Sequence, residues 1–103
     1  MSISLGEKIR MIREAENLTR ADFCSLTGIP EGTQKFYETG RQEISGKTLP
    51  KITTHPRFEK YIMWLMADKT NEALGQISPT LSLMGKMLKH YPAQIGKLAN
   101  NTY

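Results

Sequence analysis

The chain has 103 residues, enough for one domain and too few for two ordinary ones. With 39% hydrophobic and 23% charged residues it reads as a soluble globular protein, not a disordered tail. Fourteen Lys+Arg against ten Asp+Glu leave +4, which brings nucleic acid, anionic membrane or an acidic protein into view as partners; the single cysteine, Cys24, excludes an intrachain disulfide and suits a reducing compartment.

Ser4 with Glu7 three residues on is a capping box, and Leu5, Ile9 and Ile12 follow at helical spacing. A first helix is predicted from about Leu5 to Glu16, stopped near Asn17. Thr19 and Asp22 form a second box, opening a helix that buries Phe23, with Cys24 and Leu26 near it. Gly28 sits where a helix end wants a left-handed residue. A third helix fits Glu31 to Thr39, between the fixed φ of Pro30 and the stop at Gly40.

Leu49 and Ile52 suggest a short fourth element within residues 45–53, with Pro50 restricted to a first turn. A fifth helix is predicted from about Pro56 to Met66, burying Phe58, Tyr61 or Ile62, and Leu65, with Trp64 beside them. No segment alternates apolar and polar residues for long, so the fold class is all-α: a compact five-helix domain over residues 1–70. Residues 71–80 read as a linker, and residues 81–103 as a C-terminal helical tail. There Leu81, Met84, Leu88, Tyr91, Ile95 and Leu98 make one apolar stripe, with Pro92 set to kink it.

No apolar run reaches the roughly 18–20 residues of a membrane span. The stretch Met1-Ser2-Ile3-Ser4-Leu5 has no charged start or apolar core of a signal peptide, so an intracellular site is expected. Gly-rich phosphate loops, paired catalytic carboxylates and nucleophile triads are missing from the pattern, which disfavours an enzyme and implies no cofactor. His55 and His90 have no partner ligands at metal spacing, and Cys24 reads as a small core residue.

Residues 18–40 carry the chemistry. Two capped helices of about eight residues joined by a tight turn on Gly28 form a helix-turn-helix, whose second helix fits a groove about 12 Å wide. The segment is similar to the λ-repressor and Cro-like, or XRE, family of transcriptional regulators. That family reads Leu-Thr-Gln-x-x-Leu-Ala to Gly-Val, then Ser-x-x-Thr-Ile-x-x-Ile/Tyr-Glu-x-Gly. The chain matches at Leu18, Thr19, Phe23, Cys24, Gly28, Ile29, Thr33, Tyr37, Glu38 and Gly40, and Trp64-Leu65-Met66 looks like the family's closing helix. The resemblance spans residues 4–70.

It implies a sequence-specific double-stranded DNA-binding repressor of phage or prophage type, working in the bacterial cytoplasm on the nucleoid. Arg20 takes the position that meets a phosphate. Glu31, Gly32, Thr33, Lys35 and Phe36 take the groove-facing positions, with Thr39 and Arg41 past the helix end and Lys47 and Lys51 near the backbone. Gln34 stands where an apolar anchor is usual and Phe36 where a polar reader is usual. Either that register holds, or the helix is rotated so that Phe36 turns inward and Gln34 outward; Gln34 therefore joins the DNA-binding candidates. Tyr37 reads as a core anchor and Glu38 as a structural residue bonded to backbone or an arginine.

The tail stripe has three readings: it completes the core, pairs with a second chain, or contacts DNA through Lys86, Lys89 and Lys97. A homodimer through Leu81, Met84, Leu88 and Tyr91 is favoured, because two-fold pairing brings two recognition helices to two half-sites. Larger family members add a self-cleaving protease-like domain; a chain of this length leaves no room for one, so another induction route is expected, such as an antirepressor protein binding the tail. The rival reading is an antitoxin or antirepressor-like interaction module on the same fold, suggested by Glu31, Gln34 and Phe36.

Overall fold

Capping residues set the helix boundaries. The computed structural model describes residues 3–80. The first helix, α1 (Leu5–Ala15), starts at Ser4, whose Oγ accepts from the Glu7 amide at 3.2 Å. It ends before Asn17, which takes φ 59, a left-handed conformation that asparagine tolerates better than most residues. In α2 (Arg20–Thr27) the box is reciprocal: the Asp22 amide donates to Thr19 Oγ1 at 3.1 Å, and the Thr19 amide to Asp22 Oδ2 at 3.3 Å. Gly28 closes α2 at φ 78.

The third helix, α3 (Glu31–Thr39), follows Pro30 without a side-chain cap and closes at Gly40, also at φ 78. Behind it Ser45 and Thr48 form a hydroxyl-bonded turn leading into α4 (Leu49–Thr53), with Pro50 in its first turn as expected. The predicted fifth helix is broken in two. A single tight turn over Glu59–Tyr61 precedes α5 (Ile62–Ala67), which Asp68 closes at φ 54. Among the described residues the fold is thus five α-helices with no strand, the all-α class read from the sequence.

One core joins these elements. Ile9 and Ile12 of α1, Phe23 of α2, Ile29 of the turn, Tyr37 of α3, Ile52 of α4, and Phe58, Tyr61 and Leu65 pack together. The Phe23 and Phe58 rings lie 4.9 Å apart in a tilted pair. Tyr61, not Ile62, takes the inward position. Gly6 brings α1 against α3 at backbone range: a Cβ there would fall 1.9 Å from the Tyr37 carbonyl oxygen. Lys8, buried on the next turn, donates to the Trp64 and Leu65 carbonyls at 3.1 and 3.3 Å and pairs with Asp68. It thereby caps the negative end of α5.

Two expectations are corrected. Leu26 does not join the core; it stands 40% exposed, and Thr27, one turn after Phe23, takes the inward place with its hydroxyl donated to the Phe23 carbonyl at 2.9 Å. Residues 71–80 are not a loose linker. Asn71 and Gln76 exchange two backbone hydrogen bonds of 2.9 Å around a tight turn over Glu72–Leu74. The Gln76 side chain then accepts from the Met63 amide and donates to the Glu59 carbonyl, both at 3.0 Å, while the Ile77 amide bonds the Lys60 carbonyl. Pro79 is fully buried. The segment satisfies polar groups at the start of α5, which a polar composition does not reveal.

Candidate nucleic-acid interface

The turn between α2 and α3 is fixed from both sides. Gly28 donates its amide to Cys24 at 2.8 Å, and Ile29 is buried behind it. Burial also pushes the Cys24 thiol above its ordinary range, so it remains protonated and inert in the core.

A buried carboxylate ties three helices together. The Glu38 side chain is only 1% exposed. Its Oε2 accepts from Arg13 Nε at 2.8 Å and Gln34 Nε2 at 2.7 Å; its Oε1 accepts from Arg13 Nη2 at 2.9 Å and Arg20 Nη2 at 3.1 Å. Arg13 is a bidentate partner from α1, and it spends a further donor on the Leu18 carbonyl at 2.9 Å. Burial pushes the Glu38 carboxyl up, but the hydrogen bonds from Arg13, Gln34 and Arg20 outweigh it and hold the group below the usual carboxylate range. The bond to Glu38 correspondingly raises Arg13 above its ordinary value. The sequence identified Glu38 as a structural residue but did not single out Arg13; its position two turns along α1 from Leu5 gave no signal of what α3 would bring opposite it.

This network decides the orientation of α3. Gln34 is 0% exposed and Tyr37 3%, both facing the core, whereas Phe36 is 41% exposed. The expectation that Gln34 contacts DNA is therefore corrected: it shares the inward face with Glu38, one turn on, and its amide is spent on that carboxylate. Its Oε1 is buried without a hydrogen-bond partner among the described residues. The rotated register is excluded, and Phe36 is the outward residue.

On the outward face Glu31, Gly32, Lys35, Phe36 and Thr39 are exposed and Thr33 is half-buried. Thr39 Oγ1 donates to the Lys35 carbonyl at 2.8 Å, leaving the hydroxyl oxygen to accept. Arg41 follows directly, its amide held by the Phe36 carbonyl at 2.9 Å. Arg20, at the first position of α2, is one-third exposed, with one edge of its guanidinium on Glu38. Exposed Lys47 and Lys51 lie before and within α4.

Cations divide into two groups. Lys8, Arg10, Arg13, Arg20, Arg57 and Lys60 are paired with carboxylates, Arg20 by one edge of its guanidinium and the last two around Glu16 with the Tyr61 hydroxyl at 2.6 Å. Lys35, Arg41, Lys47 and Lys51, and Lys69 after α5, form no ion pair with another described residue; the first four follow one another along the chain from α3 to α4. The stretch from α3 to α4 thus carries these four cations against two carboxylates, Glu31 and Glu43, that also form no ion pair with a described residue, a net positive charge beside an exposed helix. Leu81, Met84, Leu88 and Tyr91, the dimerisation candidates, lie outside the described residues.

The chain is 37% identical over 86 residues to Repressor protein C of Escherichia phage P2, a match covering 84% of this chain and 87% of that protein. The chain belongs to this phage repressor family. The resemblance to phage-type repressors read from residues 4–70 is borne out by that relative. No family model matches the chain. No helix among the described residues is long and apolar enough to cross a membrane.

Proposed function

We propose that this protein is a sequence-specific double-stranded DNA-binding repressor, without catalytic activity, that inserts α3 into the major groove and binds a two-fold operator as a homodimer. The observation carrying the reading is the division of α3: its inner face is locked by Glu38, and its outer face is free and flanked by unpaired cations. Arg20 lies on one side of the groove, where its free edge meets a phosphate; Arg41, Lys47 and Lys51 meet the opposite strand. Thr33, Lys35 and Thr39 reach polar base edges, and Glu31 suits a cytosine amino group. Residues 81–103 supply the dimer contact, so an antirepressor protein binding that segment would release the operator in the bacterial cytoplasm.

Titration of the full chain against random duplex and against duplex selected from a random pool, at two salt concentrations, tests this. Each phosphate contact adds nearly one unit to the log–log salt slope, so four cations per protomer, eight in the dimer, predict a slope of about −7 and a strong preference for selected DNA. The rival reading, a protein-interaction module, draws on the exposed Leu26 and Phe36; it predicts neither slope nor preference. Arg20→Ala should weaken binding to all sequences alike, and Lys35→Ala should change preference at particular base pairs.

A further inference from the structure

We propose that Phe36 reads the 5-methyl group of a thymine, received in the gap that Gly32 leaves on the same face of α3; this deepens the DNA-binding reading and rests on it. The helix breaks the usual pattern twice. A glutamine is wholly buried with its Oε1 unpartnered among the described residues, and a phenylalanine stands 41% exposed two residues later. Both exceptions disfavour folding, and local rules are broken in this way chiefly where function requires it. Phe36 is the one large exposed apolar side chain on α3; Ile3, Leu26, Met66 and Leu74 belong to other elements.

Gly32 precedes Phe36 by one turn, so the two positions share a face. A Cβ built on Gly32 would meet nothing within 4 Å. The exposed Phe36 position therefore lies one turn from an open step on the same helix face, the notch proposed for the methyl. In the major groove, thymine is the base whose edge carries an apolar group, and a methyl matches such a notch in size. The neighbouring outward residues, Glu31 and Lys35, are charged and leave the methyl to Phe36. A single ring between charged residues is too small for a protein interface, whose core needs a contiguous apolar patch.

The test uses the full chain and the duplex it selects from a random pool. Each thymine of a half-site is replaced in turn by deoxyuridine, which removes only the methyl. Wild-type protein should bind about three- to fivefold more weakly at one position per half-site, the worth of one buried methyl. Phe36→Ala should bind the thymine operator about tenfold more weakly and lose its response to deoxyuridine there; Phe36→Leu should keep part of it. Circular dichroism checks that the variants fold, as expected for an exposed position. If no deoxyuridine weakens wild-type binding, or if Phe36→Ala responds as wild type does, the assignment is overturned while DNA binding stands. If the chain selects no sequence, the DNA-binding reading itself fails and the assignment with it.

Discussion

Replacing Glu38 by alanine removes the one carboxylate that faces Arg13, Gln34 and Arg20. Arg13 is the partner that suffers most: its side chain is 13% exposed and loses both bidentate bonds, keeping only the Leu18 carbonyl. Breaking a fully buried pair costs about 3–5 kcal/mol. Arg20, at 35% side-chain exposure, turns to water and contributes little to that loss. The expected destabilisation is therefore about 3 kcal/mol, or about 12–24 °C in Tm for a domain of this size. Thermal and urea unfolding followed by circular dichroism measure it. Glu38→Gln adds a pH signature. Because the folded carboxyl lies below its unfolded value, it adds stability above the ordinary carboxylate range and loses it as pH falls through the folded value. Wild-type stability should thus fall below about pH 5, and Glu38→Gln should flatten that limb, leaving the part due to Glu16, whose carboxyl is also held low: there burial pushes up, and bonds from Tyr61, Lys60 and Arg57 prevail. A Glu38→Ala protein within about 1 kcal/mol of wild type, with unchanged acid dependence, would refute the network's role in holding α3.

Two glycines should respond with opposite sign. Gly6→Ala drives a Cβ into the Tyr37 backbone carbonyl, which cannot swing aside as a side chain would, and should cost about 2–3 kcal/mol in urea unfolding; Gly32→Ala meets open space inside a helix and should add about 0.5–1 kcal/mol. Lys8→Met keeps the apolar stem but abandons two carbonyls and Asp68, so a loss of about 1–2 kcal/mol is expected by the same assay. Gln76→Ala should leave global stability within about 1 kcal/mol yet speed hydrogen exchange at the Met63 and Ile77 amides, since that side chain pins residues 71–80 to the start of α5; unchanged exchange would show that the segment holds by its own turn.

The parts of the fold legible in the sequence were those written in local chemistry. Ser4, Thr19, Gly28 and Gly40 mark helix ends because each satisfies or relieves its own neighbours within a few residues, and the structure places a boundary at every one. What stayed hidden depends on residues far apart in the chain. Lys8 reads as an ordinary surface lysine until α5, more than fifty residues later, brings two carbonyls over it. Gln76 reads as linker for the same reason. The broken fifth helix is a related case: apolar spacing located Phe58, Tyr61 and Leu65 correctly but could not tell one long helix from a tight turn followed by a short one.

The candidate site shows where the rule of apolar inside and polar outside fails. At Gln34 and Phe36 that rule asks for a rotated helix, and the structure has the unrotated one. The reason is electrostatic: a carboxylate with two arginines already behind α3 makes the inward position hospitable to an amide donor, and so releases the aromatic residue to the surface. Charge distribution adds a second part. Residues 1–45 hold six Lys+Arg against seven Asp+Glu, and residues 46–103 hold eight against three, so the overall +4 is not concentrated on the helix pair. Within that near-neutral half, Arg13 is consumed by Glu38 and Arg10 by Glu14, whereas Lys35 and Arg41, beside the exposed face of α3, form no ion pair with a described residue. Pairing, rather than net charge, determines which cations are available to a phosphate backbone.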